Sequence, residues 1–270
     1  MELMNKYCIA LLGAAILLAS FNFTYAQNSA GEERDIEAWD KGTDIYTCMK
    51  NLKSEDDRIF EDANECLYYL IPRHSAALLK ELDNKEPVVR SRLAMLFGKR
   101  RMKEAMPAII KLLDDKDISV RKSAVYALSD MKDVGAIPAL MKLIHENDWL
   151  MQNRSISTLL ELQDSVSKED LNSVKKVLVG NLKHPKEIMR ESAVTNLEAI
   201  RDPSLIPIIE ELSRNDTYFY MEDTLVNGKQ VQRKIFPVRE AAVKTIEKLK
   251  KYSEERKKQV NDPPASTTAQ

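Results

Sequence analysis

The fold of this chain is decided by two stretches, PVVRSRLAMLFGKRRMKEAMPAIIKLL at residues 87–113 and ISVRKSAVYALSDMKDVGAIPALMKLI at residues 118–144. The second stretch repeats the first at an offset of 31 residues, with apolar residues, one arginine and one proline at matching places. Within each copy the apolar residues have the spacing of two short amphipathic helices. A single helical hairpin cannot bury its apolar face alone, so neighbouring copies must stack. The sequence therefore predicts an all-α fold, an α-solenoid of stacked helical hairpins.

The same pattern of apolar residues recurs further along the chain, with more residues between its later copies. A third copy carries Gln152 where the others have arginine, a fourth contains Arg190 and a last one contains Arg239. The step from Gln152 to Arg190 is 38 residues, seven more than 31, and the step from Arg190 to Arg239 is 49 residues. We expect the seven extra residues around 163–173 and a larger insertion at residues 216–237.

The larger insertion is the part of the chain whose residues favour β-structure. Two runs rich in aromatic and β-branched residues, YFYMEDTLV at 218–226 and KQVQRKIF at 229–236, flank Asn227 and Gly228. Asn-Gly between such runs is a strong hairpin signal, because a type I′ turn needs positive φ at both central residues. We predict one β-hairpin inserted between two helical repeats.

The ends of the chain differ from the repeats. Residues 8–20, CIALLGAAILLAS, form an apolar run behind Lys6, and small residues end at Ala26, so residues 1–26 are predicted to be a cleaved signal peptide. The protein is then expected to be periplasmic or secreted, with no stable membrane insertion after cleavage. Residues 27–54 are predicted to form a leader and a capping helix, and residues 253–270 a polar, disordered tail.

A degenerate repeat is expected to open the solenoid, which we assign to residues 55–252. Its first helix is predicted to pack through apolar residues from Ile59 to Leu70, and its second helix through Leu78, Leu79 and Leu82. Phe60 stands where the clear copies have arginine.

The repeats resemble HEAT repeats, specifically the short HEAT-like class of the phycobilisome lyases. The resemblance rests on the Val/Met-Arg pairs, the small residue three positions later and the prolines at 107, 138 and 207. It implies a right-handed superhelix whose first helices lie outside and whose second helices line a concave face. It also implies that the arginines are structural and pair with acids of the preceding loops, here Glu86, Asp117 and Glu187. The arginines in question are Arg90, Arg121, Arg190 and Arg239.

Cys48 and Cys66 are the two cysteines that remain after the predicted cleavage. In an oxidising compartment, two cysteines on adjacent antiparallel helices are able to form a disulfide. Two small buried side chains in a cap are the other interpretation, and the sequence leaves both open.

Neither charge nor motifs indicate catalysis or binding of nucleic acid. The chain has 41 Lys and Arg against 42 Asp and Glu, a formal charge of −1, whereas general binding to polyanions depends on an excess of clustered cations. The three histidines, His74, His145 and His184, have no metal-ligand spacing, and no phosphate loop or nucleophile motif is present. We expect no metal and no cofactor, and we interpret the protein as non-enzymatic.

Two sets of residues are candidates for binding a protein partner. Lys111 and Lys142 occupy equivalent positions on successive second helices and form a basic stripe on the expected concave face, unless they are ordinary solvated residues. The hairpin concentrates the aromatic residues Tyr218, Phe219, Tyr220 and Phe236. The favoured hypothesis is an exported scaffold or adaptor that binds a protein through these surfaces. The alternative hypothesis, from the repeat type alone, is a bilin-lyase-like or chaperone-like transferase.

Overall fold

The computed structural model describes residues 45–226 and 229–261. The chain divides into two compact units, one up to Leu70 and one from Ile71. The predicted signal peptide, the leader up to residue 44, the Asn227-Gly228 turn and residues 262–270 lie outside the described residues.

The described part of the first unit is a disulfide-linked pair of helical segments. Helix α1 (Ile45–Asn51) is followed by the start of α2 (Asp57–Lys80). A disulfide joins Cys48 of α1 to Cys66 of α2, with their Cα atoms 6.3 Å apart, and both side chains are buried. The structure therefore has the bond rather than two separate thiols. By closing a loop between residues 18 positions apart, it contributes about 3 kcal/mol of stability on a chain-entropy model.

The degenerate repeat has the two expected helices, which follow each other without a loop in α2. They meet at a kink at His74, whose φ of −117° and ψ of 18° are not helical. Pro72 lies just before the kink, and a proline inside a helix removes one backbone hydrogen bond. Ile59, expected in the core, is 44% exposed.

The second unit alternates first and second helices along the chain. The first helices are α3 (Pro87–Lys99), α5 (Ile118–Met131), α7 (Trp149–Glu161), α9 (Glu187–Ile200) and α11 (Pro237–Asn261). The second helices are α4 (Met106–Lys111), α6 (Ile137–Lys142), α8 (Lys168–Asn181) and α10 (Ile206–Asn215). Most of the second helices are flanked by single turns of 3₁₀ helix, which shorten them.

The starts of the second helices follow from local sequence. Pro107, Pro138 and Pro207 each lie at the first or second helical position, where a missing N–H costs nothing. In the third repeat the second helix begins with an N-cap instead of a proline. The Oγ of Ser167 accepts a hydrogen bond from the Asp170 backbone N–H at 3.1 Å. Here α8 has 14 residues, whereas α4 and α6 have six, so part of the seven-residue expansion lengthens this helix.

The repeated apolar positions form the core. Val89, Leu93 and Phe97 of α3 are buried, as are Val120, Ala124 and Leu128 at the matching places of α5. The two helices approach closely at Gly98 of α3, where an added Cβ would lie 2.4 Å from the Cα of Ala127. A glycine at this position therefore sets the spacing between α3 and α5.

The insertion is a β-hairpin, as the sequence predicted. Strands β1 (Tyr220–Val226) and β2 (Lys229–Ile235) are antiparallel, with Tyr220 opposite Ile235 and Thr224 opposite Val231. Helix α11 begins directly after the hairpin and continues to Asn261. The prediction of a disordered tail from residue 253 is therefore wrong for residues 253–261, which are helical.

Candidate functional site

The repeats are joined by a buried junction built around an aspartate. Both carboxylate oxygens of Asp115 accept hydrogen bonds from Arg90 of the preceding first helix, from Nε and Nη2 at 2.7 Å each. The backbone carbonyl of the same Asp115 accepts from Nη1 of Arg121, in the following first helix, at 2.7 Å. One residue therefore ties together two successive repeats.

This geometry corrects the expected partners of the arginines. The carboxylate that binds Arg90 is Asp115, 25 residues further on, and not Glu86 of the preceding loop. Arg121 binds the carbonyls of Asp115 and Lys116 rather than the carboxylate of Asp117, which instead caps α5 by accepting from the Ser119 N–H. The structural role of the arginines remains, but the acid belongs to the following loop for Arg90.

Burial and charge make the Asp115 junction strong. The side chains of Arg90 and Asp115 are 6% and 9% exposed. The hydrogen bond from Arg90 lowers the pKa of the Asp115 carboxyl, and the same bond raises the pKa of the Arg90 guanidinium. A further hydrogen bond comes from the Asp117 backbone N–H at 2.9 Å.

The same arrangement recurs at Asp216. Its carboxylate accepts from Arg190 Nε at 2.5 Å and Nη2 at 3.2 Å, and its carbonyl accepts from Arg239 Nε at 2.5 Å. The Tyr218 N–H also donates to its carboxylate, as the Asp117 N–H does at Asp115. Glu187, the acid expected for Arg190, is therefore not its carboxylate partner.

Along the chain between these two aspartates, α7 has an amide in place of the arginine. Gln152 stands at the arginine position; its Nε2 donates to the Ile144 carbonyl at 3.0 Å, and its Oε1 accepts from Asn181 Nδ2 at 2.9 Å. A pair of amides thus replaces the pair of charges. Gln152 is buried, and both polar atoms of its side chain are satisfied.

The hairpin is inserted into a complete junction. In a junction without an insertion, the arginine binds the carbonyl of the residue six positions before it. Arg121 binds the carbonyl of Asp115 in this way. Arg239 lies 23 residues after Asp216 and still makes the equivalent bond. The insertion is therefore 23 − 6 = 17 residues long, and its two ends are held together by the Arg239 to Asp216 hydrogen bond.

An aromatic pair fills the base of the hairpin. The rings of Phe219 and Phe236 lie 5.6 Å apart between centroids, at 46° to each other. Lys234 Nζ lies 4.4 Å from the centroid of the Phe219 ring, and the Arg239 guanidinium lies 4.5 Å from that of Phe236. These cation–π contacts connect the hairpin to the arginine of the junction. Phe236, half-buried, belongs to this base.

Three consecutive residues leave large apolar side chains in solvent next to this base. Phe219, Tyr220 and Met221 are 41%, 44% and 48% exposed. Alternation along a strand directs Tyr220 to one face of the hairpin and Phe219 and Met221 to the other. Sequence reasoning included the two aromatics but missed Met221, because it searched for aromatic residues alone. Tyr218 is half-buried.

A second set of exposed apolar residues lies at the starts of first helices. Ile118, Trp149 and Ile188 are each 40% exposed, at the beginnings of α5, α7 and α9. The hairpin enters the chain directly before α11, at the equivalent place in its own repeat. Since the junctions bond one helix start to the next, these residues and the hairpin share one edge of the stack. We call these three residues the edge row.

The lysines of the expected basic stripe are exposed. Lys111 Nζ lies 3.0 Å from the Asp83 carboxylate, and both side chains are more than 70% exposed. Lys142 is also exposed. The contact with Asp83 partly neutralises the first of the two cations, so the stripe is a weaker candidate than the hairpin.

The described residues contain no group of three or more His, Cys, Asp and Glu side chains placed to hold a metal ion. Within the same residues, no helix is both long and apolar enough to cross a membrane. His184, a histidine considered as a ligand from sequence, accepts a hydrogen bond from the Lys186 N–H through Nδ1 at 3.1 Å. It therefore has a local structural role in its loop.

A family model of HEAT repeats matches residues 75–160. Residues 75–160 are HEAT repeats. The matched HEAT repeats include the Asp115 junction, and the Asp216 junction repeats its bonding beyond the matched range. No curated protein matches the sequence.

Solved structures show the same fold class. The Kap95:Nup1 complex is similar with a TM-score of 0.57 at 13% identity, over 90% of this chain and 35% of that chain. A designed armadillo repeat protein in complex with the peptide (KR)4 has a TM-score of 0.49 at 17% identity, over 77% of this chain and 100% of that chain. The complex of CpcE and CpcF of phycocyanin lyase from Nostoc sp. PCC7120 has a TM-score of 0.35 at 16% identity, over 77% and 95%. At 13% identity the likeness to the Kap95:Nup1 complex describes the fold alone, a repeat solenoid.

Proposed function

We propose that this protein is an exported, non-enzymatic scaffold that binds a protein partner through its inserted hairpin. The observation that carries the proposal is the exposure of Phe219, Tyr220 and Met221 on a hairpin whose ends are held by a complete junction. The stack does not need these residues, because the Asp115 junction forms the same bonds without an insertion.

The physical case rests on what exposed apolar surface costs. Consecutive exposed apolar side chains on a two-stranded hairpin carry a risk of aggregation, which proteins accept where the surface serves binding. Aromatic residues and methionine are also enriched in protein interfaces. Because the base is fixed by the Phe219–Phe236 contact and by Arg239, little conformational entropy is lost when a partner binds there.

The edge row extends this surface. A partner that covers the hairpin base and continues along the same edge meets Ile188 and then Trp149, both half exposed to solvent at helix starts. Trp149 is the residue type most often found as an interface anchor. We therefore include the edge row in the proposed contact surface and leave Lys111 and Lys142 as a secondary candidate.

Export is the second part of the proposal. It is supported by the basic residue, apolar run and small residues of positions 1–26. If the chain is expressed with these residues in a bacterium that has a periplasm, the protein recovered from that compartment should begin at Gln27. Mass spectrometry of the intact protein measures this, and an uncleaved chain in the cytoplasm would contradict export.

Binding is tested by shortening the hairpin. In one variant residues 218–235 are replaced by a short Gly/Ser linker, which keeps Asp216 and Arg239; in a second, Phe219, Tyr220 and Met221 are changed to Ser. A matched control changes the exposed Glu222 and Asp223 of β1 to Ala. We expect all three to keep their helical circular dichroism, and the first two to bind the partner captured by the unaltered protein at least tenfold more weakly, a loss of about 1.4 kcal/mol.

The partner is identified by capture on the immobilised unaltered protein and then measured as a purified component by calorimetry. If the shortened protein binds that partner with unchanged affinity, the hairpin is not the contact surface. If the shortened protein unfolds, the hairpin is part of the fold and the proposal fails as stated.

A further inference from the structure

The hairpin has two open backbone edges. Strands β1 and β2 pair only with each other among the described residues. Each strand therefore has one edge whose N–H and C=O groups have no neighbouring strand. Such an edge is a template on which another extended chain adds as a further strand.

The two strands carry opposite charges. The sequence of β1, YMEDTLV, contains Glu222 and Asp223 and no cation, whereas β2, KQVQRKI, contains three cations and no acid. Glu222 lies opposite Arg233 in the register, and Asp223 accepts a hydrogen bond from Gln232 at 3.2 Å. The hairpin is therefore acidic along one edge and basic along the other.

One cation of β2 is already held in place. Lys234 lies over the Phe219 ring, so it does not have to be ordered when a partner arrives. The neighbouring Arg233 points to the opposite face of the strand, because side chains alternate. A strand added beside β2 thus meets a cation on each of its faces.

Charge also argues against a second copy of this chain as the occupant. Symmetric pairing of β2 with β2 brings together two strands that each carry three cations, and symmetric pairing of β1 with β1 brings together two strands that each carry two acids. Like charges on neighbouring strands are destabilising. Pairing of β1 with β2 of another copy is head-to-tail, so it gives rings or filaments rather than a two-fold dimer.

The geometry points to β2 as the docking edge for an extended, acidic segment of the partner protein, which adds to the hairpin as a third strand. This inference rests on the proposed function and adds the chemistry of the partner. Main-chain hydrogen bonds supply the pairing, and the cations of β2 select acidic side chains and reject neutral or basic strands.

Three synthetic nine-residue peptides test the inference with the full chain. All alternate Val and Thr, and they carry three Glu, three Lys or three Ser at matched positions. Fluorescence anisotropy in low salt measures their binding. We expect the Glu peptide to bind at least tenfold more tightly than the other two, with an affinity that falls as salt is added. Equal binding of the three, or tighter binding of the Lys peptide, would overturn the assignment to β2.

Charge variants locate the edge. Arg233→Gln with Lys234→Gln should weaken binding of the Glu peptide at least fivefold, and the matched control, Glu222→Gln with Asp223→Gln on β1, should leave it unchanged or tighter. If the control loses as much as the β2 variant, the effect is not specific to β2 and the inference fails. Circular dichroism and the sedimentation coefficient check that both variants keep the fold and the association state of the unaltered protein. Concentration-dependent association through the hairpin would instead favour a second copy.

N-methylation separates strand pairing from simple attraction of charges. A Glu peptide methylated at alternate amides keeps its charge but loses the N–H groups of one edge. Two such peptides, methylated in the two alternate registers, should differ in affinity by at least tenfold, because only one edge faces β2. Equal affinities would show that no third strand forms.

These results are distinct from the test of the proposed function. One outcome is that shortening the hairpin abolishes binding of the natural partner while the Glu peptide fails to compete with that partner for the unaltered protein. In that case the inference fails and the hairpin remains the binding surface. If the natural partner is retained on shortening, the proposed function itself fails.

Discussion

The junctions at Asp115 and Asp216 are two versions of one structure. Each aspartate binds an arginine of the preceding first helix through its carboxylate and an arginine of the following one through its carbonyl. They differ in the chain between the aspartate and the following arginine, which is six residues in one case and 23 in the other. The hairpin is thus an addition to a repeat that keeps its own connections, and binding and folding are separable in this region.

The largest loss of stability is expected when either junction aspartate is replaced. Asp115→Ala and Asp216→Ala should each lower the free energy of unfolding by about 3 to 5 kcal/mol, because each leaves a largely buried arginine without its carboxylate. If the junctions are equivalent, the two losses agree within about 1 kcal/mol in urea titrations. Asp117→Ala, which removes only a helix cap, is the control and should lose about 1 kcal/mol. A loss at Asp216 that matches this control would show that the long insertion has already weakened its junction.

The two arginines of the Asp115 junction should differ from each other. Arg90→Ala leaves a buried carboxylate unpaired and should cost about 3 kcal/mol. Arg121 donates to two neutral carbonyls, so Arg121→Ala should cost about 1.5 kcal/mol. Chemical denaturation of the two variants under one set of conditions compares them, and the reverse order would assign the main bond of the junction to the carbonyl side.

A carboxylate outside the junctions gives a smaller effect that depends on pH. Hydrogen bonds from Lys175 and Ser204 lower the pKa of Asp202 to about 2, from 3.8. Since the folded pKa is below the unfolded one, the stabilisation is present above about pH 4 and is lost as the pH falls toward 2. Asp202→Asn keeps the helix cap but removes the charge, and should cost about 1 kcal/mol at pH 7 and only a small part of that at pH 2, where the folded carboxyl is half protonated.

Thermal melts of the Asp202→Asn variant across that pH range measure the difference. Lys175→Gln should lower the free energy of unfolding by a similar amount at pH 7. The double variant should lower it by little more than either single variant. A constant difference between variant and unaltered protein from pH 7 to 2 would contradict the assigned charge pair.

The smallest effects are expected at the surface lysines. Lys111 and its partner Asp83 are both largely exposed, so Lys111→Ala and Lys142→Ala should each change the free energy of unfolding by less than about 0.5 kcal/mol. Denaturant titration measures this, and a loss as large as that of Arg121→Ala would place these lysines with the junctions.

The sequence predicted the features that depend on local pattern. The 31-residue period indicated the helical hairpins, the prolines indicated the starts of second helices, and the β-rich runs around Asn227 and Gly228 indicated the hairpin. The apolar spacing within each copy, the prolines and the β-rich runs all lie inside the elements that they specify. Local propensity and periodicity therefore suffice for them.

The partners of the arginines were beyond such reasoning. Arg90 binds an acid 25 residues ahead, and which loop residue reaches it depends on how one repeat is rotated on the next. The nearer acids, Glu86 and Asp117, were the natural choice from sequence and were wrong. The sequence did contain a signal for the residue whose carbonyl binds the arginine. Asp115 and His184 each lie six residues before an arginine, and the side chain of each accepts a hydrogen bond from the N–H two residues later. Such a bond is typical of a residue that starts a turn.

The exposure of the hairpin residues was also beyond the sequence. Phe236 and Phe219 are in contact in the hairpin base, yet Phe236 is half-buried whereas Phe219 is 41% exposed. That difference depends on the position of the hairpin relative to Arg239, which no pattern within the hairpin specifies.

The amide pair of Gln152 and Asn181 makes the array uneven in its response to acid. Protons neutralise aspartates but not amides, so at falling pH the links at Asp115 and Asp216 weaken while the middle link keeps its hydrogen bonds. In a linear array, unfolding starts where nearest-neighbour coupling is weakest and stops where it is strong. Acid is therefore expected to weaken the stack first at the Asp115 and Asp216 junctions, while the Gln152 to Asn181 hydrogen bond between α7 and α8 persists to lower pH.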